Sequence, residues 1–268
     1  MFSDPVPCIL RCTDRIPSDV VAAVNIIEKS PEEKISEIIP VKEFSDNEYL
    51  VMVTKNGIIK KTPASEYESI RKSGKIAITL KEGDELISIF KTTGNDNIFL
   101  ATRNGMAICF NENDARAVGR TASGVKAIDL ADGDYVVGAE PVREDSKVLL
   151  VTDGGYGKCT DLTSFRIQHR GGKGLKAYKI TEKTGNIIGI SMVNDSEELI
   201  MVTSEGVVIR IRIKDIATTT GRITQGVRLI NLDDGVTVVS MDKISAEDAV
   251  EEESEENNTE VTTETTEE

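Results

Sequence analysis

The sequence predicts an all-β chain of propeller-like sheets, on three observations. First, four segments share one pattern of apolar strand, Thr, two turn residues, Gly and a second strand: YLVMVTKNGIIKKT, NIFLATRNGMAICF, KVLLVTDGGYGKCT and ELIMVTSEGVVIRI. Their threonines, Thr54, Thr102, Thr152 and Thr203, are spaced by 48, 50 and 51 residues. Second, two further glycine markers recur in the same order: Gly74, Gly124, Gly174 and Gly226, then Gly83, Gly133, Gly185 and Gly235. Third, the chain has 4% aromatic residues and no Trp, so its core must come from Val, Ile, Leu and Ala, which suits strands.

Each unit reads as short strands joined by turns. The Lys-Asn-Gly and Arg-Asn-Gly sequences fit hairpins whose turn residues need positive φ. A period near 50 residues with about four strands per unit is that of a propeller blade. One such sheet cannot bury both faces, but stacked sheets can. Strands are expected at Leu50–Val53, Ile98–Ala101, Val148–Val151 and Leu199–Val202. Half a copy precedes them, with Val24–Ile27 and Ile35–Val41 matching the second half of a unit. Beyond residue 45 the only helical signal is a turn near Ser65–Ile70.

Charge is local. The net charge is −14, but residues 245–268 hold 11 acids and no base. Residues 45–244 balance 27 acids against 27 bases. The tail has almost nothing to bury and is expected to be disordered. It reads either as a solvating tail or as an anionic competitor for a basic surface. Within each unit the segment after the hairpin is basic. It carries Lys60, Lys61, Arg71, Lys72 and Lys75 in the first copy, and Arg116, Arg120 and Lys126 in the second. The third has Lys158, Arg166, Arg170, Lys173, Lys176 and Lys179; the fourth has Arg210, Arg212, Lys214, Arg222 and Arg228. The later turns are acidic, at Asp84, Asp134, Glu197 and Asp233 among others. Repetition would gather the bases into one band and the acids into another, and duplex DNA responds to such a local field.

The third basic segment contains QHRGGKGL, Gln168 to Leu175. Arg and Lys in a Gly-rich loop allow backbone amides and cations to approach phosphates together. The spacing is not that of a nucleotide-hydrolase phosphate loop. The octamer closely resembles the gyrase A box, Q-R-R-G-G-[RK]-G, with His169 at the second position. The resemblance to the C-terminal region of the DNA gyrase A subunit runs from about Val24 to Ile244 and includes PVKEF, GDELI, ASGVKAI and GYGKCT.

The resemblance implies a β-pinwheel of strand-exchanging blades over residues 23–244. Residues 1–22 match nothing in it, and residues 245–268 form the acidic tail. It implies a non-catalytic region that bends duplex DNA around a basic rim, in support of ATP-dependent negative supercoiling by a type IIA topoisomerase. The contacts it implies are Gln168, His169, Arg170, Gly171, Gly172, Lys173 and Gly174 of the box, with Arg166 and Lys176. It adds Lys60, Lys61, Arg71, Lys72, Lys75, Arg120, Lys126, Arg210, Arg212, Arg222 and Arg228 from the other copies. The implied partners are duplex DNA and, in the heterotetramer, the remainder of the gyrase A subunit together with the gyrase B subunit. The implied location is the bacterial cytoplasm at the nucleoid. The catalytic tyrosine lies upstream in the family, so no Tyr here takes that role. The family has about six blades with its box in the first, whereas this chain supplies four and a half with the box-like octamer in the third full copy. A truncated piece is therefore expected.

Other classes fit less well. The corresponding region of topoisomerase IV is the nearest alternative. A protein-binding propeller would show no salt-sensitive DNA binding. A propeller enzyme would need His or carboxylate clusters at strand ends, and His169 is the single histidine. Cys8, Cys12, Cys109 and Cys159 lack zinc spacing and read as free thiols in a reducing cytoplasm. No metal or cofactor is expected. No signal peptide or membrane-spanning run is visible.

Overall fold

Every threonine–glycine signature closes a β-hairpin in the computed structural model, which describes residues 8–9, 39, 41, 44–69 and 75–244. In chain order, β1 is Cys8–Ile9. The first repeat contributes β2 (Tyr49–Thr54), β3 (Ile58–Pro63), β4 (Lys75–Ile76) and β5 (Leu86–Thr92). The second contributes β6 (Asn97–Thr102), β7 (Met106–Asn111), β8 (Val125–Lys126) and β9 (Val136–Pro141). The third contributes β10 (Lys147–Thr152), β11 (Tyr156–Asp161), β12 (Leu175–Lys176) and β13 (Ile187–Val193). The fourth contributes β14 (Glu198–Thr203), β15 (Val208–Arg212), β16 (Thr218–Thr219), β17 (Val227–Arg228) and β18 (Val238–Ile244). The four expected strands lie inside β2, β6, β10 and β14, and the turn expected near Ser65 is a 3-10 turn over Ala64–Tyr67. The expected half copy at Val24–Val41 and the acidic tail lie outside the described residues, Ile39 and Val41 excepted.

The chain divides into two compact units. One comprises residues up to Val142 with Arg166–Leu175; the other comprises Arg143–Phe165 with the residues from Lys176 onward. In the first unit the sheets run β5-β2-β3-β8 and β12-β7-β6-β9. The outer strand of each sheet is thus donated by the following repeat. β3 pairs β8 with Ile58 opposite Lys126 and Ile59 opposite Val125. β1 pairs β4, with Cys8 opposite Ile76 and Ile9 opposite Lys75. Residues 8–9 thus lie beside β4, at the edge where the hairpin strands β3 and β11 stand beside β8 and β17. In the second unit β11 accepts both β16 and β17. The remaining sheet runs β15-β14-β18, and among the described residues β15 accepts no donated strand.

Hairpin strands such as LVMV read as unbroken apolar runs because both faces are buried. Val51 and Val53 pack with Ile98, Leu100, Ile128 and Val136 in one cluster of the first unit. Leu50 and Met52, on the other face, pack with Tyr67, Ala77 and Ile78. In the second unit Leu149, Val151, Leu199, Met201 and Val238 form the corresponding core. The first two hairpin turns are tied to the acidic turns of their own repeats. Thr54 Oγ1 donates to Asp84 Oδ2 at 2.7 Å, and the Asn56 N–H donates to Asp84 Oδ1 at 2.9 Å. Thr102 and Asn104 bind Asp134 in the same way, at 2.6 and 3.0 Å. These carboxylates, expected in an acidic band, are hydrogen-bond acceptors for the turns, and Asp84 is buried.

The glycine that opens each donated strand is required twice over. Gly124, Gly174 and Gly226 have φ of +87°, +74° and +70°, a region that costs other residues strain. A β-carbon at Gly124 would also lie 2.5 Å from Ile59 O; Gly174 and Gly226 face Ala107 O and Gly157 O in the same way. Gly83 has φ of +72° but open space around it. Gly83→Ala should therefore cost only the conformational strain, ~1–2 kcal/mol. Gly124→Ala should exceed ~3 kcal/mol, because the strand must also back away. Urea unfolding of the two variants checks the order.

Candidate nucleic-acid interface

The box-like loop belongs to the first unit and lies along the donated strand β8. The Gly171 N–H donates to Ala127 O at 2.6 Å, and the Asp129 N–H donates to Gly172 O at 2.9 Å. The Gln168 N–H donates to Cys109 O at 2.8 Å. Arg170 is held at three points: its N–H to Asp114 Oδ2 at 3.3 Å, Nε to Asp114 O at 2.7 Å and Nη1 to Lys126 O at 3.0 Å. The His169 side chain is 97% exposed, with Nδ1 3.1 Å from Asp114 Oδ2. Arg166, Gly172 and Lys173 are exposed. Lys126 Nζ donates to Asp129 Oδ1 at 2.8 Å. That hydrogen bond, the Lys126 charge and the more distant Lys173 charge hold the Asp129 carboxyl below its ordinary range. Lys126 and Lys173 thus outnumber the one carboxylate whose field they share.

The Arg170 contact recurs. Arg120 Nη1 donates to Ile76 O at 3.3 Å, and Arg222 Nη1 donates to Lys176 O at 3.1 Å. Residues 76, 126 and 176 hold the same place in successive donated strands, so each box-position arginine fastens its loop to the strand of the preceding repeat. In the second unit Arg228, on β17, binds the Tyr156 hydroxyl through Nε and Nη2 at 3.2 and 3.1 Å, with Nη1 on Asn231 at 2.6 Å. Arg228, ahead of the nearby Lys183, holds the Tyr156 hydroxyl below its ordinary pKa. The Lys179 N–H donates to Thr224 O at 3.0 Å, which sets exposed Lys179 beside the Arg222 loop.

Two buried lysines stand behind these loops. Lys60 and Lys158 are 1% and 0% exposed. Lys60 Nζ donates to Ala77 O and Arg120 O. Lys158 Nζ donates to Arg222 O, to Gly221 O at 3.4 Å and to Thr224 Oγ1 at 3.2 Å. Burial, followed by the charge of Arg120, lowers Lys60 to about 8, with Glu66 acting the other way. Burial and the charge of Arg222 lower Lys158 to about 8.

The structure divides the residues singled out from sequence. Lys60 points inward, away from any ligand. Lys61 is also buried, paired with buried Glu112 at 2.9 Å and 4.3 Å from the Tyr49 ring centre. The reading of these two as surface cations fails because both strand faces are packed: Lys60 reaches carbonyls of Ala77 and Arg120 on one, and Lys61 reaches Glu112 and Tyr49 on the other. Arg71 and Lys72 lie outside the described residues, and Lys75 donates to Glu66 O at 3.4 Å. Arg210 and Arg212 share Glu198 as their carboxylate. Of the three box glycines only Gly172 is open to solvent. Gly171 bonds to Ala127, and the space left by Gly174 is taken by Ala107 O rather than held for a phosphate. Sequence reasoning missed Asp114 and Tyr156. Their partners lie 55 to 72 residues away, beyond any local pattern.

Strand-exchanging four-stranded repeats with a basic loop on each donated strand define a propeller-class repeat protein. The description "DNA gyrase C-terminal domain, beta-propeller" fits the chain four times, over residues 48–93, 96–143, 146–194 and 197–245. The chain belongs to this family, the C-terminal domain of the DNA gyrase A subunit. It is 54% identical over 228 residues to the DNA gyrase A subunit of Halalkalibacterium halodurans, covering 85% of this chain and 27% of that protein. It is 48% identical over 226 residues to its counterpart in Clostridium acetobutylicum, covering 84% and 27%. The chain therefore spans about a quarter of the length of these relatives. Among solved structures, the C-terminal domain of DNA topoisomerase IV matches with a TM-score of 0.79 and 30% identity, over 88% of this chain and 74% of that one. The DNA gyrase A C-terminal domain matches with a TM-score of 0.73 and 25% identity, over 85% and 76%.

The buried lysines give a pH signature. An unfolded lysine titrates near 10.5, whereas Lys158 titrates near 8 in the fold. Between these values the unfolded chain holds a proton that the folded chain has released, so stability rises as pH increases through this window. Lys158→Ile should flatten that rise, by at most ~1.4 kcal/mol per pH unit. Urea unfolding at about pH 7.5, 8.5 and 9.5, which enters that window from below, checks it. Parallel profiles for parent and variant would contradict the assignment.

Proposed function

We propose that this region binds duplex DNA through its phosphates and bends it, as the DNA-wrapping part of a gyrase A subunit. The single observation that carries this reading is the recurring loop, fastened by Arg120, Arg170 or Arg222 to the preceding donated strand, with exposed cations around it. Backbone geometry fixes where these cations stand. Contacts from fixed cations to phosphates position DNA without reading its sequence. Successive loops that repeat from blade to blade are served best by curved DNA. Smooth bending of a 20–30 bp site costs on the order of 1–6 kcal/mol, which added contacts must offset. In the assembled enzyme the partners are the rest of the A subunit together with the B subunit. The product of their joint action is ATP-dependent negative supercoiling in the bacterial cytoplasm. The chemistry of strand cleavage belongs to residues elsewhere in the enzyme, and this region acts without a cofactor.

Binding should weaken steeply with salt and vary little with sequence. Arg166→Glu with Lys173→Glu should lower affinity for a labelled duplex. It should also reduce the salt slope by about 0.9 per lost phosphate contact. Arg143→Glu, on a turn outside the basic loops, should do neither. Circular dichroism controls for the fold, which exposed charges affect little. A folded double variant with parent-like affinity and slope would remove the box-like loop from the interface.

A further inference from the structure

Lys60 and Lys158 occupy one position of the repeat, the third residue after the hairpin glycine. The second and fourth repeats have Ile108 and Ile209 there. Isoleucine therefore satisfies what the blade core needs at this position, and lysine adds something else. In both cases its ammonium leaves its own strand and reaches a carbonyl of a loop from the following repeat; Lys60 also donates to Ala77 O of its own repeat. The carbonyl of the box-position arginine is among the acceptors each time, Arg120 O for Lys60 and Arg222 O for Lys158. The same two arginines are tethered at the other end by the Nη1 bonds to Ile76 O and Lys176 O. A guanidinium carries five N–H donors in a rigid fork, so the Nη1 tether leaves donors for a phosphate, even at Arg120, whose Nε lies 3.9 Å from Glu66 Oε2. Where the position is Ile108, the loop has another anchor: Asp114 takes both the N–H and the Nε of Arg170. Each of these three basic loops thus has an inner fastening, by lysine or by aspartate.

We propose that Lys60 and Lys158 are positioning residues for DNA, each holding the loop that presents Arg120 or Arg222 so that the guanidinium meets a phosphate already ordered. The inference rests on the DNA-binding reading above. A buried ammonium on carbonyls costs desolvation, and what it secures is a loop that need not be ordered on binding. Ordering a side chain at an interface typically costs enough to change affinity by roughly two- to tenfold.

The test is a double-mutant cycle on the full chain with a labelled duplex. Lys158→Ile copies what the second and fourth repeats already carry, so the blade should fold. Alone it should weaken binding roughly threefold or more, within the range that side-chain ordering gives. In an Arg222→Ala background it should change affinity by less than about 1.5-fold, because the residue it positions is gone. In an Arg120→Ala background the full loss should return, since that loop is a separate site. Amide hydrogen exchange at residues 221–226 should quicken in Lys158→Ile, with β10 and β11 unchanged. An equal loss in the parent and Arg222→Ala backgrounds would overturn positioning, as would faster exchange without any change in affinity. A parent chain that bound no duplex would overturn the DNA-binding reading and this role with it. The exchange result would then still show whether the lysine orders the loop.

Discussion

A hairpin leaves one strand with a free row of N–H and C=O groups, and a buried edge of that kind is costly. Here the following repeat supplies the missing strand. β8 closes β3, and β17 closes β11. The rest follows from this exchange. A donated strand must approach the acceptor backbone closely, which demands the glycine at 124, 174 and 226. The loop that delivers it must turn on the surface, and there it carries the basic residues. Lys60, Lys61 and Lys158, which look like surface cations in the sequence, are interior: Lys60 and Lys158 end on carbonyls that include those of the box-position arginines, and Lys61, on the opposite strand face from Lys60, ends on Glu112.

That burial reorganises the electrostatics. Lys61 finds Glu112, which also accepts from Thr92, Gly94 and Asp96, so the pair is surrounded by donors. Such a pair is tolerated because its remaining valences are filled. Lys60 and Lys158 have carbonyl acceptors instead, and their lowered pKa values record the desolvation. The charge that remains for a ligand is carried by residues on the loops, not on the hairpins. Cys109 and Cys159 stand at the repeat position of Lys61, and burial pushes both thiols up to about 11, which leaves them inert.

Much was legible in the sequence. Spacing of Thr54, Thr102, Thr152 and Thr203 located the hairpins, because a turn needs particular residues and those needs are local. The glycine markers located the donated strands for the same reason. Charge pattern located the basic loops. It overcounted their members, since Lys60 and Lys61 look like exposed cations when only one repeat is considered. The Gly-rich box suggests backbone open to phosphates, whereas Gly174 makes room for the backbone of Ala107.

The sequence by itself determined the all-β class, the four repeats and the place of each turn, because these depend on residues within a few positions of one another. Only the tertiary structure decided which cations face outward and what holds the loops. Lys158 and Arg222 stand 64 residues apart, and Tyr156 and Arg228 stand 72 apart. Their meeting depends on a strand passing from one repeat to the next, and no local periodicity encodes which hairpin edge that strand will close.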